Sequence, residues 1–579
     1  MITSVFLSRE ETMPKTLFLI LIGAMLFALQ PSWAQRNTHA SATTNSISIP
    51  NPSLENDGRG WVVWGLRWHD QGTWSQDAHS GNTSALIETS DKRQRCVLMS
   101  PGLPQLKPGM NIRVSFYAKW LVGDYTVLIG FHVPQDTNRA AWPSLWRGSI
   151  PKDGAWHRLD AEVRVPAFLA DEAALVLRIG LPYERQAMWR KPYKGFEPSK
   201  YLLDDVSVVA LSGPELVQPK AAVSHSFDKS DPRDNPSRFG VFWTPWRTYS
   251  RTPIASAQDA NRSKQEIEQE LNEMQQIGVK WIRSIWRWDK IEWSQGKPDY
   301  AFLDYVVEEA WKRGIRFVPC LNTTPRWAST ATEGDVEYHS YPPKLTDWET
   351  FVYQMVNHFK PRIKYWETWN EPNGLYWLGT VEDLCELQKT AYRAAKRADP
   401  RCKILLGAFS GSGFGYLDQL LRLGAKDCFD IVSIHPYSGK KENLDNAVYG
   451  TNAVRLVLAQ YGCEDRPIWF TEIGWPDDLA PGMDAKCRAK LLTMVYSHPF
   501  RESVEKIFWF PFDTWSRRIP LQGPGGLISI QNDNLIRTPG FDAYRKMTAK
   551  ASQTDTSSGT ATSWRHHTSG VGERLAMRD

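Results

Sequence analysis

Cysteine is scarce: seven in 579 residues, at 96, 320, 385, 402, 428, 463 and 487. None has C-x-x-C spacing, so the zinc and redox sites that use it are excluded. The odd count allows one or two disulfides in an oxidising compartment and dictates none. A dense Lys/Arg block is also missing. The net charge of +5 is spread over 69 basic and 64 acidic residues, so no nucleic-acid partner is expected. No G-x-S-x-G elbow, phosphate-binding loop or metal-ligand cluster offers a catalytic centre. Long apolar runs are confined to TLFLILIGAMLFAL (16–29), which is too short and wrongly flanked to span a membrane.

That run reads as a secretory signal. Lys15 precedes it, and QPSWAQ follows with small residues Ser32 and Ala34 at cleavage spacing. Glu10 and Glu11 are foreign to a positive leader, so the natural start is expected at Met13 and the signal within 1–34. The mature chain then begins near Gln35, secreted or in a periplasm. No cysteine follows the run, which argues against a lipid anchor. What the chain has in surplus is aromatic: 27 Trp, 20 Tyr and 23 Phe. Most tryptophan is core packing in any protein. A surplus beside Gly, Pro and Asn also suits a surface that stacks against sugar rings.

Residues 46–212 read as all-β, with alternating runs NIRVSFYAKW (111–120), YTVLIGFHV (125–133), ALVLRIGL (174–181) and YLLDDVSVVAL (201–211) between turn residues. That pattern predicts a sandwich. NPSLENDGRGW (51–61), SGNTSALIE (80–88), the tryptophan of DGAWHRLDAEVRVP (153–166) and LLDDVSV (202–208) together resemble a jelly-roll carbohydrate-binding module. The resemblance implies a structural calcium held by an acidic residue near each end of the module, which here matches Glu55 and Asp205. Residues 213–237, rich in Pro and Asp, read as a linker, and the polar tail 551–579 as disordered.

Between them, 238–550 alternates short apolar strands with helical stretches. Strands are expected at 239–243, 280–286, 315–321, 363–369, 403–409, 430–436, 467–472 and 506–512. In the first helix Ile267, Leu271 and Met274 share a face, and Gly278 stands where a C-terminal cap belongs. Eight such repeats in about 310 residues predict a (β/α)8 TIM barrel, with chemistry at the C-terminal ends of the strands.

The fourth strand runs into WNEPN, where Pro372 is expected to end it and leave Glu371 at the rim; the seventh ends TEIGWP, with Glu472 at its rim. Two carboxylates directed into one bowl suit retaining glycoside hydrolysis, with a nucleophile and an acid/base about 5–5.5 Å apart. The Asn-Glu-Pro of the fourth strand and the Glu of the seventh resemble clan A of the glycoside hydrolases. GVKWIRSIWRW, CLNTTPRWAS and WFTEIGWP look closest to family 39 and to barrels that trim bacterial exopolysaccharides. A β-xylosidase specificity is not expected, since the histidine that those members carry soon after the arginine is missing.

Carried over residue by residue, the resemblance makes Glu371 the acid/base and Glu472 the nucleophile. Asn370 would bond the sugar 2-hydroxyl, and Arg283 would keep Glu472 ionised. His435 and Tyr437 match the clan's His-x-Tyr pair, Tyr437 orienting the nucleophile, and Trp509 would floor the cleavage subsite. Trp327, Trp286, Trp288, Tyr341 and Trp475 are candidate sugar platforms. Trp366, Trp369, Tyr376 and Trp377 are expected to desolvate Glu371 and help it keep its proton. Glu367, four residues before Glu371, would lie on the same side of an extended strand, roughly 13 Å below the rim, as a paired structural carboxylate.

The implied protein is a secreted retaining glycosidase acting on a β-linked polysaccharide or oligosaccharide. A binding module and an aromatic rim favour endo action. No catalytic cofactor is implied, and a monomer is expected. The alternatives are a non-catalytic glycan-binding or scaffold barrel and a transglycosylase using the same residues.

Overall fold

The computed structural model describes residues 45–557 apart from 50, 56–59, 65–72, 90–96, 108, 124–125, 133–143, 166–175, 181–198, 212–226, 247–262, 375, 412, 439–441, 477–479, 481, 499, 501–502, 515–524 and 532–533. The signal segment, Cys96, the first part of the linker and the tail beyond 557 lie outside the described residues. Among the described residues all six cysteines are free thiols.

Two antiparallel sheets occupy the N-terminal part. One orders strands Thr73–Ser75, Ser84–Thr89, Ser199–Leu211, Asn111–Val122 and Trp156–Arg164; the other orders Val62–Trp64, Val97–Met99, Val176–Gly180, Thr126–His132 and Ser144–Ser149. Period-two alternation gives the first sheet its inner face: Ile112, Val114, Phe116 and Ala118 are fully buried, while Arg113, Tyr117 and Lys119 face out. Their inner side chains join Leu98, Val127, Ile129 and Ile179 of the second sheet in one apolar cluster. The two sheets therefore share a core, as the alternation predicted.

The C-terminal part is a closed barrel of eight parallel strands. They are β1 (Phe239–Phe242), β2 (Trp281–Arg287), β3 (Arg316–Asn322), β4 (Tyr365–Thr368), β5 (Lys403–Ser410), β6 (Ile431–His435), β7 (Ile468–Ile473) and β8 (Val504–Trp509). The helices that follow them are α1 (Lys264–Gln276), α2 (Ala301–Lys312), α3 (Leu345–Phe359), α4 (Val381–Ala398), α5 (Phe414–Arg422), α6 (Asp445–Gln460), α7 (Ala485–Ser497) and α8 (Pro539–Ser557). All eight strands fall where apolar runs predicted them.

Local chemistry sets the helix ends. Ser263 and Glu266 form a capping box at the start of α1, and Thr380 and Asp383 another at α4. Ile267, Leu271 and Met274 of α1 are buried against the barrel. Gly278 follows in the left-handed region (φ 78°), where a Cβ would also come within 2.8 Å of Thr548.

The barrel interior is layered. Trp281, Val318, Tyr365, Leu405, Ile431, Trp469 and Phe508 pack as a lower apolar layer. Two residues further along their strands, Arg283, Cys320, Glu367, Ser433 and Thr471 form a buried polar layer above it. Beneath both, Lys506 lies over the rings of Trp281 and Trp469 and donates to the carbonyls of Asn235 (2.8 Å) and Ser237 (3.2 Å).

Two expectations need correction. The end of the expected linker, 227–237, is built into the barrel bottom. Asp231 and Arg233 are buried, Arg233 also binds Asp399, and Asp234 accepts from Lys364 (2.8 Å) and Tyr365 (2.8 Å). Its charged residues satisfy the open lower ends of the strands. Likewise α8 runs to Ser557, into the segment assigned to the disordered tail.

Candidate active site

The site sits at the C-terminal ends of β2, β4, β6 and β7. Strand β4 ends at Thr368, earlier than Pro372 suggested, and the chain then turns through left-handed Trp369 (φ 61°) and Glu371 (φ 45°). The Glu371 amide donates to the carbonyl of Ala408 (2.9 Å), itself left-handed (φ 42°) on β5. Non-glycine residues in this region cost energy and persist where the surroundings over-determine them. On β7 the corresponding turn needs Gly474, because a Cβ there would meet the Phe510 carbonyl at 2.0 Å.

Arg283 is the hub. Fully buried on β2, it donates from Nε to Oε2 of Glu367 (2.7 Å), from Nη2 to Oδ1 of Asn370 (2.7 Å) and from Nη1 to Oε1 of Glu472. Phe242 of β1 lies under its guanidinium, 5.6 Å away. Asp289 pairs with Arg287 and Thr323, away from Arg283. Tyr437 donates to Oε2 of Glu472 (2.6 Å), so the two oxygens of Glu472 are held from opposite sides.

His435 is buried between the two carboxylates. Its Nδ1 lies 2.9 Å from Oε1 of Glu371 and 3.6 Å from Oε2 of Glu472, and its Nε2 lies 3.1 Å from the Thr471 hydroxyl. With the hydrogen on Nδ1, His435 donates to Glu371 and accepts from Thr471. One oxygen each of Glu371 and Glu472 and a ring nitrogen of His435 all lie within 4.8 Å of one another. Among the described residues these three are the one close group of metal-type donors. The Arg283 guanidinium already supplies Glu472 with positive charge, which opposes a further cation at that oxygen.

Electrostatics separate the buried groups. Burial would lower the Arg283 guanidinium, but Glu367 and Glu472 outweigh it and raise it. Burial pushes Glu367 up, but Arg283 and His435 outweigh that and hold it below the ordinary carboxylate value. Burial, then the neighbouring Glu472, raises the Tyr437 hydroxyl well up, so it stays a proton donor.

The aromatic expectations divide. Trp366 packs on Trp286 and Phe359, and Trp369 on Trp348 and Trp377, all in the layer between barrel and helices. The tryptophans of the fourth-strand motif therefore pack away from Glu371: Trp366 faces outward by strand alternation, opposite Glu367, and the left-handed turn redirects Trp369. Trp286, Trp288, Trp475 and Trp509 are all fully buried and present no face to a sugar. Trp327 and Tyr341 are half-buried in the loop after β3, Trp327 donating to the Glu292 carbonyl (3.2 Å). Trp509 ends β8, buried 6.0 Å from the buried Trp475, and its Nε1 has no partner among the described residues.

Thr471 and Cys320 were not singled out by sequence. Thr471 directly precedes Glu472, and Cys320 pairs in register with Glu367. Both became findable only once the strand register was known.

In the N-terminal part, Glu55 and Asp205 converge on one loop, 79–83. Glu55 Oε1 accepts from the amides of Asn82 (2.8 Å) and Thr83 (3.3 Å); Asp205 bonds His79 Nδ1 (2.6 Å) and the Ser80 hydroxyl (2.7 Å). Two carboxylates on one loop are the oxygen donors that a hard cation takes, and the same oxygens here serve the loop's N–H and O–H groups.

A family model described as β-galactosidase, of the glycoside hydrolases, matches residues 259–342, which include Arg283 but neither rim glutamate. No curated protein matches the chain. Among solved structures, a glucosidase from Croceicoccus marinus is similar at 17% identity and TM-score 0.41, over 48% of this chain and 63% of that one. A family 39 glycoside hydrolase from Bacteroides cellulosilyticus WH2 is similar at 16% identity and TM-score 0.43, over 77% and 78%. A β-xylosidase from Caulobacter crescentus CB15 is similar at 19% identity and TM-score 0.42, over 58% and 70%. The chain thus spans less than two thirds of the glucosidase's length, and its chemistry has to come from its own residues.

Proposed function

We propose that this chain is a retaining glycoside hydrolase acting on a β-linked polysaccharide or oligosaccharide. The observation that carries the reading is the convergence of Glu371 and Glu472, with carboxylate oxygens within 4.8 Å. That separation suits a direct nucleophile, at about 5–5.5 Å, better than an intervening water, which needs about 6.5–9.5 Å.

In the first step Glu371 gives its proton to the glycosidic oxygen as Glu472 attacks the anomeric carbon, forming a glycosyl ester and releasing the leaving alcohol. In the second, Glu371 takes a proton from water, which attacks the same carbon and frees Glu472. Arg283 and Tyr437 hold Glu472 and spread its charge. Asn370, fixed by Arg283, is placed to meet a sugar hydroxyl.

Endo action is supported by Trp327 and Tyr341 beside the mouth and by the N-terminal sheets, read as a jelly-roll carbohydrate-binding module. Export is supported by the 16–29 run, and no helix among the described residues is long and apolar enough to cross a membrane. Glu55 and Asp205 would hold the module's structural calcium.

The test is reducing-end release from β-glucans, mannans, xylans and bacterial exopolysaccharides, comparing wild type with Glu472→Gln. Loss of release in the variant is expected; full activity in it sinks the nucleophile. Binding without release favours a glycan-binding barrel, and sugar-acceptor products favour transglycosylation. Azide with Glu472→Gly should give an inverted glycosyl azide.

A further inference from the structure

The reaction scheme uses Glu371 and Glu472 and leaves a third carboxylate unexplained. Glu367 is fully buried in the polar layer directly beneath them. Its Oε2 accepts from Arg283, and Cys320 and Ser433 lie beside its carboxylate. An isolated buried carboxylate is costly, and a buried ion pair replaced by apolar residues is often neutral or stabilising. Stability alone is therefore a weak reason for this group.

The arrangement supplies a stronger one. One guanidinium serves two carboxylates, one through Nε and the other through Nη1, with Asn370 on Nη2. A single positive charge thus faces two negative ones in a site without bulk water. Whatever share of Arg283 is taken up by Glu367 is withheld from Glu472. A nucleophile fully matched by a cation is a poor one; a nucleophile with no cation holds its proton.

We propose that Glu367 is a positioning residue for the nucleophile: it fixes the Arg283 fork and shares its charge, and so sets how tightly the guanidinium holds Glu472. This deepens the glycosidase reading and rests on it. The groups facing Glu367 are Arg283 from β2, Cys320 from β3, and Ser433 and His435 from β6. Those facing Glu472 are Arg283, His435, Tyr437 and Glu371. Arg283 and His435 favour the ionised form of Glu367.

The test is the pH dependence of kcat/KM for Glu367→Gln, measured on the best substrate found for the wild type. Glutamine keeps an acceptor for Arg283 Nε and removes the charge. Arg283 then acts on Glu472 alone, and one repelling charge is gone; both effects move the acid limb to lower pH, by about 1 unit at the effective dielectric of protein sites. The plateau of kcat/KM falls in the same variant, with KM little changed. A purely structural carboxylate would lower Tm and leave the acid limb in place, and that result overturns the proposal. Glu367→Asp keeps the charge and should restore most of the wild-type profile. Should Glu367→Gln fail to fold, Glu367→Ala with added formate decides: formate should move its acid limb back toward the wild-type position, and an acid limb that stays at the wild-type position without formate overturns the proposal. A wild type without glycosidase activity defeats the functional reading and this inference with it. An active wild type with an unmoved variant defeats this inference alone.

Discussion

The Tyr437 hydroxyl donates to Oε2 of Glu472 across 2.6 Å, opposite the oxygen held by Arg283. Its backbone is pinned too, since Asn446 Nδ2 donates to the Tyr437 carbonyl (2.7 Å). Tyr437→Phe removes one hydrogen bond to a charged group, worth about 1.5–3 kcal/mol. We expect kcat/KM to fall about 10- to 100-fold, mostly in kcat. The lost bond favoured the carboxylate form, so the acid limb moves to higher pH, the opposite of Glu367→Gln. A pH–rate profile of the variant checks both.

Glu371→Ala should show the leaving-group dependence of a lost proton donor. Hydrolysis of natural glycosides falls by roughly 10²- to 10⁴-fold. Aryl glycosides with acidic leaving groups need no proton and should keep a fast first step, seen as a burst of released phenol. Equal losses on both substrate types would argue against the acid/base role.

The barrel bottom predicts an acid-labile contribution to stability. Burial raises the Asp231 carboxyl, but Arg233 and Lys364 outweigh it and bring it to about 2 from an ordinary 3.8. The folded value is depressed, so the stabilisation is present above pH 3.8 and lost as pH falls toward 2. Its size is about 2 kcal/mol. The stability difference between wild type and Asp231→Asn should therefore shrink by that amount from pH 6 to pH 2. Urea unfolding followed by tryptophan fluorescence measures it.

Calcium should act on the N-terminal module alone. At free Ca²⁺ 100-fold above its dissociation constant, the module gains about 2.7 kcal/mol. Differential scanning calorimetry should show one transition rising with Ca²⁺ and falling with chelator, and Glu55→Gln or Asp205→Asn should remove the response. An unchanged thermogram in the wild type would discard the calcium site.

Strand periodicity carries most of the architecture, and residue chemistry marks its edges. An apolar run of four to eight residues flanked by Gly or Pro has few options, which is why all eight barrel strands were legible. The linker was misread for a related reason. Asp231, Arg233 and Asp234 look solvated in one dimension, and only the closed barrel brings Lys364, Tyr365 and Asp399 to them.

The two glutamates of WETWNEPN show where the boundary lies. The sequence by itself determined that Glu371 and Glu472 stand at strand ends, because Gly474, Pro372 and Pro476 limit how a strand can continue. It also determined that Glu367 is a separate, paired carboxylate. Extended-strand geometry then set Glu367 far below the rim, and there it failed. The left-handed turns at Trp369 and Glu371 fold the motif back, so Glu367 and Asn370 reach one guanidinium and Trp369 swings into the helix layer. Only the tertiary structure decided this, because the partners lie on strands 84 to 189 residues apart in the chain. Backbone turns of this kind are selected by those distant contacts and leave no periodicity to read.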